Sequence, residues 1–179
     1  MLLTVGHGRL DRDALGRLLT DAGVELLVDV RRFPGSRANP AAAKGSVPDL
    51  TADAGIDYRW EEDLGGRRTL SAAERDASPD TWWRVEAFRA YAAWTRTPAF
   101  RAALGRVVAD ARARRTAVMC SESVWWRCHR RIIADVAVAE HGLQVGHLMH
   151  DGRVTAHAPA AGLRSDGRGH PVWDGPRTA

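Results

Sequence analysis

Two cysteines, two tryptophans and several arginines share one short segment of this chain, CSESVWWRCHRR at residues 120–131. An apolar run, TAVMC, leads into the segment and predicts a buried strand, while its arginines mark the predicted start of a helix. The amino end of a helix carries unpaired N–H groups and partial positive charge, so it binds anions and lowers the pKa of a nearby cysteine. We therefore expect this segment to hold a phosphate, a thiolate or both.

The segment's larger side chains favour contact with nucleic acid. Arg127 and Arg130 carry guanidinium forks that match phosphate oxygens, and Trp125 and Trp126 can stack on a base or enter a duplex. The alternative is that the tryptophans belong to the core and the arginines are a solvated helix start. We favour the nucleic-acid interpretation, because interleaved arginine and tryptophan at a strand edge is uncommon in plain packing.

Two carboxylates and two histidines are candidates for acid–base chemistry. Asp29 and Glu122 each follow or end a predicted strand, so they can divide acid, base and electrostatic roles, or each can simply pair with a neighbour such as Arg31. His7 is a candidate catalytic group and His129 a candidate contact to nucleic acid. The alternative for both histidines is a local hydrogen bond.

The chain contains 26 basic residues, and Lys44 is its only lysine. A lysine that must lose its proton cannot be replaced by arginine, so Lys44 is a candidate nucleophile, with a surviving surface lysine as the alternative. The segment FPGSRANP before it places Arg37 and Asn39 in a polar loop. A phosphate contact and a simple turn are equally good interpretations of that loop.

The chain contains ligands for a metal site, but their spacing along the sequence argues against one. Cys120, Cys128, His129 and His7 supply four suitable ligands, but their spacing is that of no recognised zinc finger. If a helix begins at Cys128, the adjacent Cys128 and His129 side chains point about 100° apart and cannot easily share an ion. We therefore predict no metal and no other cofactor.

Strands and helices alternate along the chain in the manner of a parallel α/β fold. Predicted strands are residues 2–6, 25–30, 57–60, 116–120 and 144–149, with a hairpin strand at 153–157. The first predicted helix is capped by Asp11 and ends before Gly23, and the others are residues 40–54, 81–95, 99–114 and 130–141. Residues 64–78 form a long loop with one helical turn at most. We expect one three-layer α/β domain over residues 1–157, with a mostly parallel open sheet, rhodanese-like or Rossmann-like in outline. A C-terminal hairpin or tail, rich in Gly, Pro and Arg, follows at residues 158–179.

Composition points to a polyanionic partner inside the cell. The formal net charge is +4, and the isoelectric point is about 9.8, so DNA is the expected partner. No apolar run reaches the roughly eighteen residues of a membrane span, and no leader precedes the first strand, so we expect a cytoplasmic protein without a membrane contact. We expect a monomer or a small homo-oligomer.

Five segments, TVGHGRL, VDVRRFPGSRANP, EEDLGGRR, FRAYAAW and CSESVWWRCHRR, together resemble a bacterial and archaeal family called domain of unknown function 488. The resemblance covers about the first 150 residues. Positions of the family's motifs correspond to Cys120, Glu122 and the Cys-His-Arg triplet 128–130, and its Asp-x-Arg element corresponds to Asp29 and Arg31. The chain departs from the family pattern at Ser121, at Gly8 and in its arginine-rich tail.

The resemblance implies a possible activity, because some members are associated with excision of modified pyrimidines from DNA. Our leading hypothesis is accordingly a DNA glycosylase, with either water or Lys44 as the nucleophile. A rhodanese-like sulfurtransferase that carries a persulfide on Cys120 is the second hypothesis, since VDVR and a strand, Cys, loop, helix unit resemble that class. A binding module without catalysis is the third.

Overall fold

The computed structural model describes residues 1–36 and 38–176. Over these residues the main sheet consists of β1 (Leu2–Gly6), β2 (Leu26–Asp29), β3 (Asp57–Trp60), β4 (Thr116–Cys120), β5 (Val145–Leu148) and β6 (Val154–Ala156). The strand order is β3-β2-β4-β1-β5-β6. All neighbouring pairs are parallel except β5 and β6, which are antiparallel. The prediction of a mostly parallel open sheet is confirmed.

Helices cover both faces of this sheet and complete a three-layer α/β domain. They are α1 (Arg12–Asp21), α2 (Ser46–Asp53), α3 (Ala72–Asp76), α4 (Glu86–Trp94), α5 (Pro98–Ala113) and α6 (Arg130–His141). Alternate residues of a strand point to opposite faces, so Leu3 belongs to the same buried cluster as Leu15 of α1, whereas its neighbour Leu2 belongs to the cluster of Ile132 of α6. Two buried apolar clusters, one on each side, therefore hold the sheet in place.

Two helices differ from their predicted extents. The helix predicted at residues 40–54 is divided into a 3₁₀ turn at Pro40–Ala42 and α2, because Gly45 between them has a left-handed φ of 86°. The helix predicted from residue 81 begins only at Glu86. Before it, the Trp82 amide donates to the Trp173 carbonyl at 2.9 Å and Trp83 is buried, so tertiary contacts take this segment out of the helix.

The described part of the C-terminal segment folds back onto the domain. Strands β7 (Leu163–Ser165) and β8 (Pro171–Trp173) form a two-stranded antiparallel sheet. Trp173 is fully buried and belongs to the same core cluster as α4, α5 and α6. The segment therefore contributes to the core. None of the described helices has the length and apolarity that crossing a bilayer requires.

A buried chain of hydrogen bonds links the centre of the sheet to this C-terminal hairpin. Thr4 Oγ1 lies 2.7 Å from His147 Nδ1, and His147 Nε2 lies 2.9 Å from His157 Nδ1. His157 Nε2 lies 2.8 Å from Asp135 Oδ1, and Trp173 Nε1 donates to Asp135 Oδ2 at 2.9 Å. If each group donates its hydrogen toward Asp135, every polar group in this chain of hydrogen bonds has a partner. A buried polar network is stable only when all of its groups are hydrogen-bonded in this way.

Asp135→Ala should remove the end of this chain. Asp135 is fully buried and also accepts the Ala160 amide, so its loss leaves three buried donors without an acceptor. We expect the free energy of unfolding in urea to fall by about 3 kcal/mol. Asp151→Ala, which removes an exposed ion pair with Arg153 and a hydrogen bond from the Arg153 amide, should leave it nearly unchanged. Equal effects of the two substitutions would contradict this role for Asp135.

The same chain should make stability depend on pH. Burial, followed by the charges of His157 and Arg130, lowers the pKa of His147 from 6.5 to about 3. Between these values the unfolded chain binds more protons than the folded one, so stability is lost as pH falls, by up to about 1.4 kcal/mol per pH unit. The urea midpoint of the wild type should therefore drop between pH 7 and pH 5. His147→Gln should flatten that dependence, and an unchanged slope in the variant would argue against it.

Candidate functional site

The site lies where the direction of the chain crossovers reverses. β1 and β4 are neighbours, but α1 after β1 and α6 after β4 pack on opposite faces of the sheet. Such a reversal opens a crevice at the carboxyl ends of the two strands, where open α/β sheets bind their ligands. Two adjoining cavities occupy this edge, with volumes of about 910 and 790 Å³.

A common wall separates the two cavities and consists of His7, Ser36, Ala38, Ser121 and Glu122. We name the larger one the β1 cavity, and it is further lined by Arg9, Arg12, Asn39 and Ser123. The smaller one, named the cysteine cavity, is further lined by Arg31, Arg32, Phe33, Arg67, Tyr91, Arg127, Cys120, Cys128 and His129. Residues that follow β1, β2 and β4 thus come together at this edge.

The loop after β4 is held against β1 by its own backbone. The His7 amide donates to the Cys120 carbonyl and the Gly8 amide to the Ser121 carbonyl, both at 3.0 Å. The Glu122 carbonyl accepts a hydrogen bond from Arg130 Nη2 and packs directly over Gly6. A Cβ on Gly6 would lie 1.8 Å from that carbonyl oxygen, so the loop can take this position only because residue 6 is glycine.

Glu122 projects an unpaired carboxylate from this loop. The residue is exposed, and among the described residues its side chain makes no hydrogen bond or ion pair, although its backbone is held by Arg130. It lines both cavities. A carboxylate that is fixed at its backbone and free at its side chain can accept a proton from a water molecule or bind a polar ligand group.

His7 presents an unpartnered nitrogen to the same wall. The residue is 2% exposed, its Nδ1 lies 3.0 Å from the Gly8 carbonyl, and its buried Nε2 has no hydrogen-bond partner among the residues that the structure describes. Burial, followed by the charge of Arg31, lowers the pKa of His7. The ring is therefore neutral near pH 7, with Nδ1–H donating to Gly8 and an unprotonated, buried Nε2.

Asp29 has a different environment from Glu122. Its carboxylate is fully buried and accepts from the Arg31 guanidinium at 2.5 to 3.0 Å and from Tyr58 Oη at 3.0 Å. Burial, followed by the charge of Asp29, raises the pKa of Tyr58 well above its ordinary value, so the phenol remains a donor. Arg31 also donates to the Ala42 carbonyl at 3.0 Å. Asp29 therefore holds Arg31 in place and lines neither cavity.

Cys120, Cys128 and His129 meet at the floor of the cysteine cavity. His129 Nδ1 lies 3.8 Å from Cys120 Sγ and 3.6 Å from Cys128 Sγ, and all three ligand atoms lie within 4.8 Å of one another. The expectation that Cys128 and His129 point apart is wrong. Because α6 begins only at Arg130, Cys128 is extended, with φ of −125° and ψ of 150°, and both side chains converge.

The pKa values of the two thiols are shifted in opposite directions. A hydrogen bond with Cys128, followed by burial, raises the pKa of Cys120 to about 12. Burial also raises the pKa of Cys128, but the hydrogen bond from Cys120 and the charge of Arg130 outweigh it and lower that pKa to about 6. Cys128 is therefore the thiolate of the pair, and it accepts from Arg130 Nε at 3.4 Å.

Arg130 and the two tryptophans lie outside the two cavities. Trp125 stacks on His147 with ring centroids 3.9 Å apart, and Trp126 is 46% exposed. Arg130 is 1% exposed and binds Cys128 and the Glu122 carbonyl, so its role is to hold the loop. None of the three lines either cavity, and Trp126 is the one available to a large ligand.

Three further candidates, Arg37, Asn39 and Lys44, come from the chain between β2 and α2. Asn39 is buried and donates to the Gly8 and Leu10 carbonyls at 3.0 and 2.9 Å, which holds the turn after β1. Lys44 is exposed and lines neither cavity. Arg37 lies outside the described residues.

Some residues of the site escaped the sequence reasoning. Gly65 and Gly66 allow close contacts: a Cβ on Gly65 would lie 2.6 Å from Arg32 Cα, and one on Gly66 would lie 2.7 Å from His129 Nδ1. Phe33 is 64% exposed beside the Arg32 guanidinium, 5.5 Å from its ring centre. In the sequence, the Gly-Gly pair next to arginines was the signal of such contacts. Only the tertiary structure shows which residue packs against each glycine.

Comparison with known families gives one match. The family described as "Domain of unknown function DUF488" matches residues 11–137. Searches of curated proteins and of solved structures return no significant match. The matched residues include Asp29, Glu122 and the cysteine cluster, whereas His7 precedes them.

Gly6→Ala should displace the loop that carries Glu122. The added methyl group meets a backbone carbonyl and the buried Arg130 guanidinium, so we expect the free energy of unfolding to fall by about 2 kcal/mol. Gly16→Ala in α1 is the matched control, because nothing lies within 4 Å of its Cβ. That substitution should raise stability by about 0.5 to 1 kcal/mol in the same urea titration. A Gly6→Ala protein as stable as the wild type would show that the loop can shift freely.

Proposed function

The chain belongs to the DUF488 family, whose description records no activity, and from its site we propose that it is a DNA glycosylase that excises a modified pyrimidine base. The observation that carries this proposal is the unpaired carboxylate of Glu122 in the wall between two cavities. An extruded base needs a pocket, and the cysteine cavity's volume of about 790 Å³ lies within the range that holds small ligands.

The surroundings of Glu122 suit a polyanion that carries aromatic rings. Arg9, Arg32, Arg67 and Arg127 line the two cavities, and among the described residues none of them pairs with a carboxylate. Unpaired guanidinium groups bind phosphate oxygens without first breaking an ion pair. Phe33 and Trp126 add exposed rings near this edge, on which a base can stack.

Glu122 and His7 would divide the chemistry. Glu122 takes a proton from water, the water oxygen forms a bond to the sugar C1′, and the bond from C1′ to the base nitrogen breaks. The electron pair of that bond leaves with the base, which then takes up a proton from solvent. The bare Nε2 of His7 accepts a hydrogen bond from a base N–H or from the attacking water. Water is the preferred nucleophile here, because Lys44 lines neither cavity.

The cysteines favour this proposal over a sulfurtransferase. A persulfide carrier needs a reactive thiolate in a cradle of backbone amides, but the pKa of Cys120 is raised, first by Cys128 and then by burial. The carbonyls of residues 120–122 accept hydrogen bonds from the His7 amide, the Gly8 amide and the Arg130 guanidinium. These carbonyls are therefore acceptors that are already hydrogen-bonded. Neither feature suits an anionic persulfide.

Glu122→Gln should abolish base release and leave DNA binding intact. The wild type is incubated with duplexes that each carry one modified pyrimidine, and released base is identified by mass spectrometry. Loss of the general base should slow release by about 100-fold or more. Asp21→Asn, which alters an exposed carboxylate at the end of α1, should keep full activity.

Two results would overturn the proposal. One is the absence of released base from every duplex while binding weakens steeply with salt, which would identify a non-catalytic nucleic-acid module. The other is turnover of thiosulfate that Cys120→Ser removes, without any base release, which would identify the sulfurtransferase. A protein–DNA adduct trapped by borohydride and lost in Lys44→Ala would replace water by Lys44 as the nucleophile.

A further inference from the structure

We propose that Cys120, Cys128 and His129 form a three-ligand site for one Zn²⁺ ion, with its fourth position open to the cysteine cavity. The site goes beyond the proposed glycosylase activity and does not depend on it. Its ligand atoms come from the end of β4 and from the two residues before α6, which lie nine positions apart at most in the chain. Tertiary packing brings them to one point.

The distances between the ligand atoms match those of a tetrahedral zinc centre. With Zn–S bonds of about 2.3 Å and a Zn–N bond of about 2.1 Å, the sulfur and nitrogen corners are about 3.6 Å apart and two sulfurs about 3.8 Å apart. The observed distances from His129 Nδ1 to Cys128 Sγ and Cys120 Sγ are 3.6 and 3.8 Å. Since all three ligand atoms lie within 4.8 Å of one another, an ion needs only small side-chain shifts.

The histidine already has the tautomer that a metal ligand requires. His129 Nε2 lies 3.2 Å from the Val30 carbonyl, which has no hydrogen to give, so Nε2 carries the proton and donates it. Nδ1 is then an unprotonated acceptor directed at both sulfurs. In a metal-bound histidine, the ring nitrogen that does not bind the metal usually donates to a group such as a backbone carbonyl, which fixes the tautomer and the orientation of the ring. The ring of Tyr91, centred 5.0 Å away, packs against the imidazole and restricts its rotation.

The surroundings also stabilise thiolate ligands. Arg130 is buried and donates from Nε to Cys128 Sγ at 3.4 Å, which offsets part of the negative charge that two thiolates bring. Soft sulfur with imidazole selects zinc over magnesium or calcium, which take oxygen ligands. A disulfide between the two cysteines would leave the bare Nδ1 of His129 without a function, so the ring orientation favours the metal.

The fourth position faces the cavity. Cys120, Cys128 and His129 all line the cysteine cavity, and among the described residues no other Cys, His, Asp or Glu joins their cluster. Three protein ligands with one open position are typical of zinc that binds water or substrate, whereas structural zinc sites are closed by four. A ligand in this cavity would therefore reach the ion directly.

Metal binding is tested on the full chain without nucleic acid. Protein that has been stripped of metal, reduced, and shown to have two free thiols is dialysed against Zn²⁺, and bound zinc is counted by mass spectrometry. One ion per chain is expected. Co²⁺ in its place should give the intense cobalt–thiolate charge-transfer absorption, and that spectrum should change when imidazole or another small ligand enters the open position.

Substitutions locate the site. Cys120→Ser, Cys128→Ser and His129→Ala should each weaken zinc binding by about 100-fold or more. His141→Ala, at the far end of α6, is the matched control and should bind zinc as the wild type does. Absence of a thiolate band with Co²⁺ in the folded, reduced wild type would overturn the proposal whatever the variants do. Zinc binding that survives the cysteine substitutions would overturn it as well.

Discussion

The contact between the Glu122 carbonyl and Gly6 is the constraint on which the site depends. It exists because β1 and β4 are paired in register, with Gly6 opposite Cys120, so the loop leaving β4 must pass over the end of β1. The buried Arg130 guanidinium closes the contact by donating to the same carbonyl. Since Arg130 also donates to Cys128, one cation sets both the position of Glu122 and the environment of the cysteines.

A second buried network supports this arrangement from behind. The chain from Thr4 through His147 and His157 to Asp135 crosses from the sheet to α6, and Trp173 anchors the C-terminal hairpin to its end. Trp125 stacks on His147, so the loop that carries Glu122 rests on this network. Polar groups in such a position are stable only when all are paired, and the loop therefore inherits the rigidity of the core.

The site combines groups that are fixed with groups that are free. The charges of Asp29 and Arg31 are directed at each other, and together with the hydrogen bond from Tyr58 this pairing offsets the cost of burying them. Among the described residues, the Glu122 carboxylate and the His7 Nε2 atom have no partner, and both residues line the cavity wall. The difference separates residues that shape the site from residues that can act on a ligand, and it supports Glu122 as the chemical carboxylate.

The sequence by itself determined the strands, most of the helices and the edge of the sheet at which the site lies. These depend on apolar periodicity and on local caps, such as Asp11 at the start of α1, which are read from neighbouring residues. It also identified Glu122, His7 and the cysteines as candidates. Only the tertiary structure decided which carboxylate is paired, because Tyr58 reaches Asp29 from another strand. It likewise decided that Cys128 and His129 converge, because Cys128 takes an extended backbone conformation before α6 and no local pattern of residues encodes it.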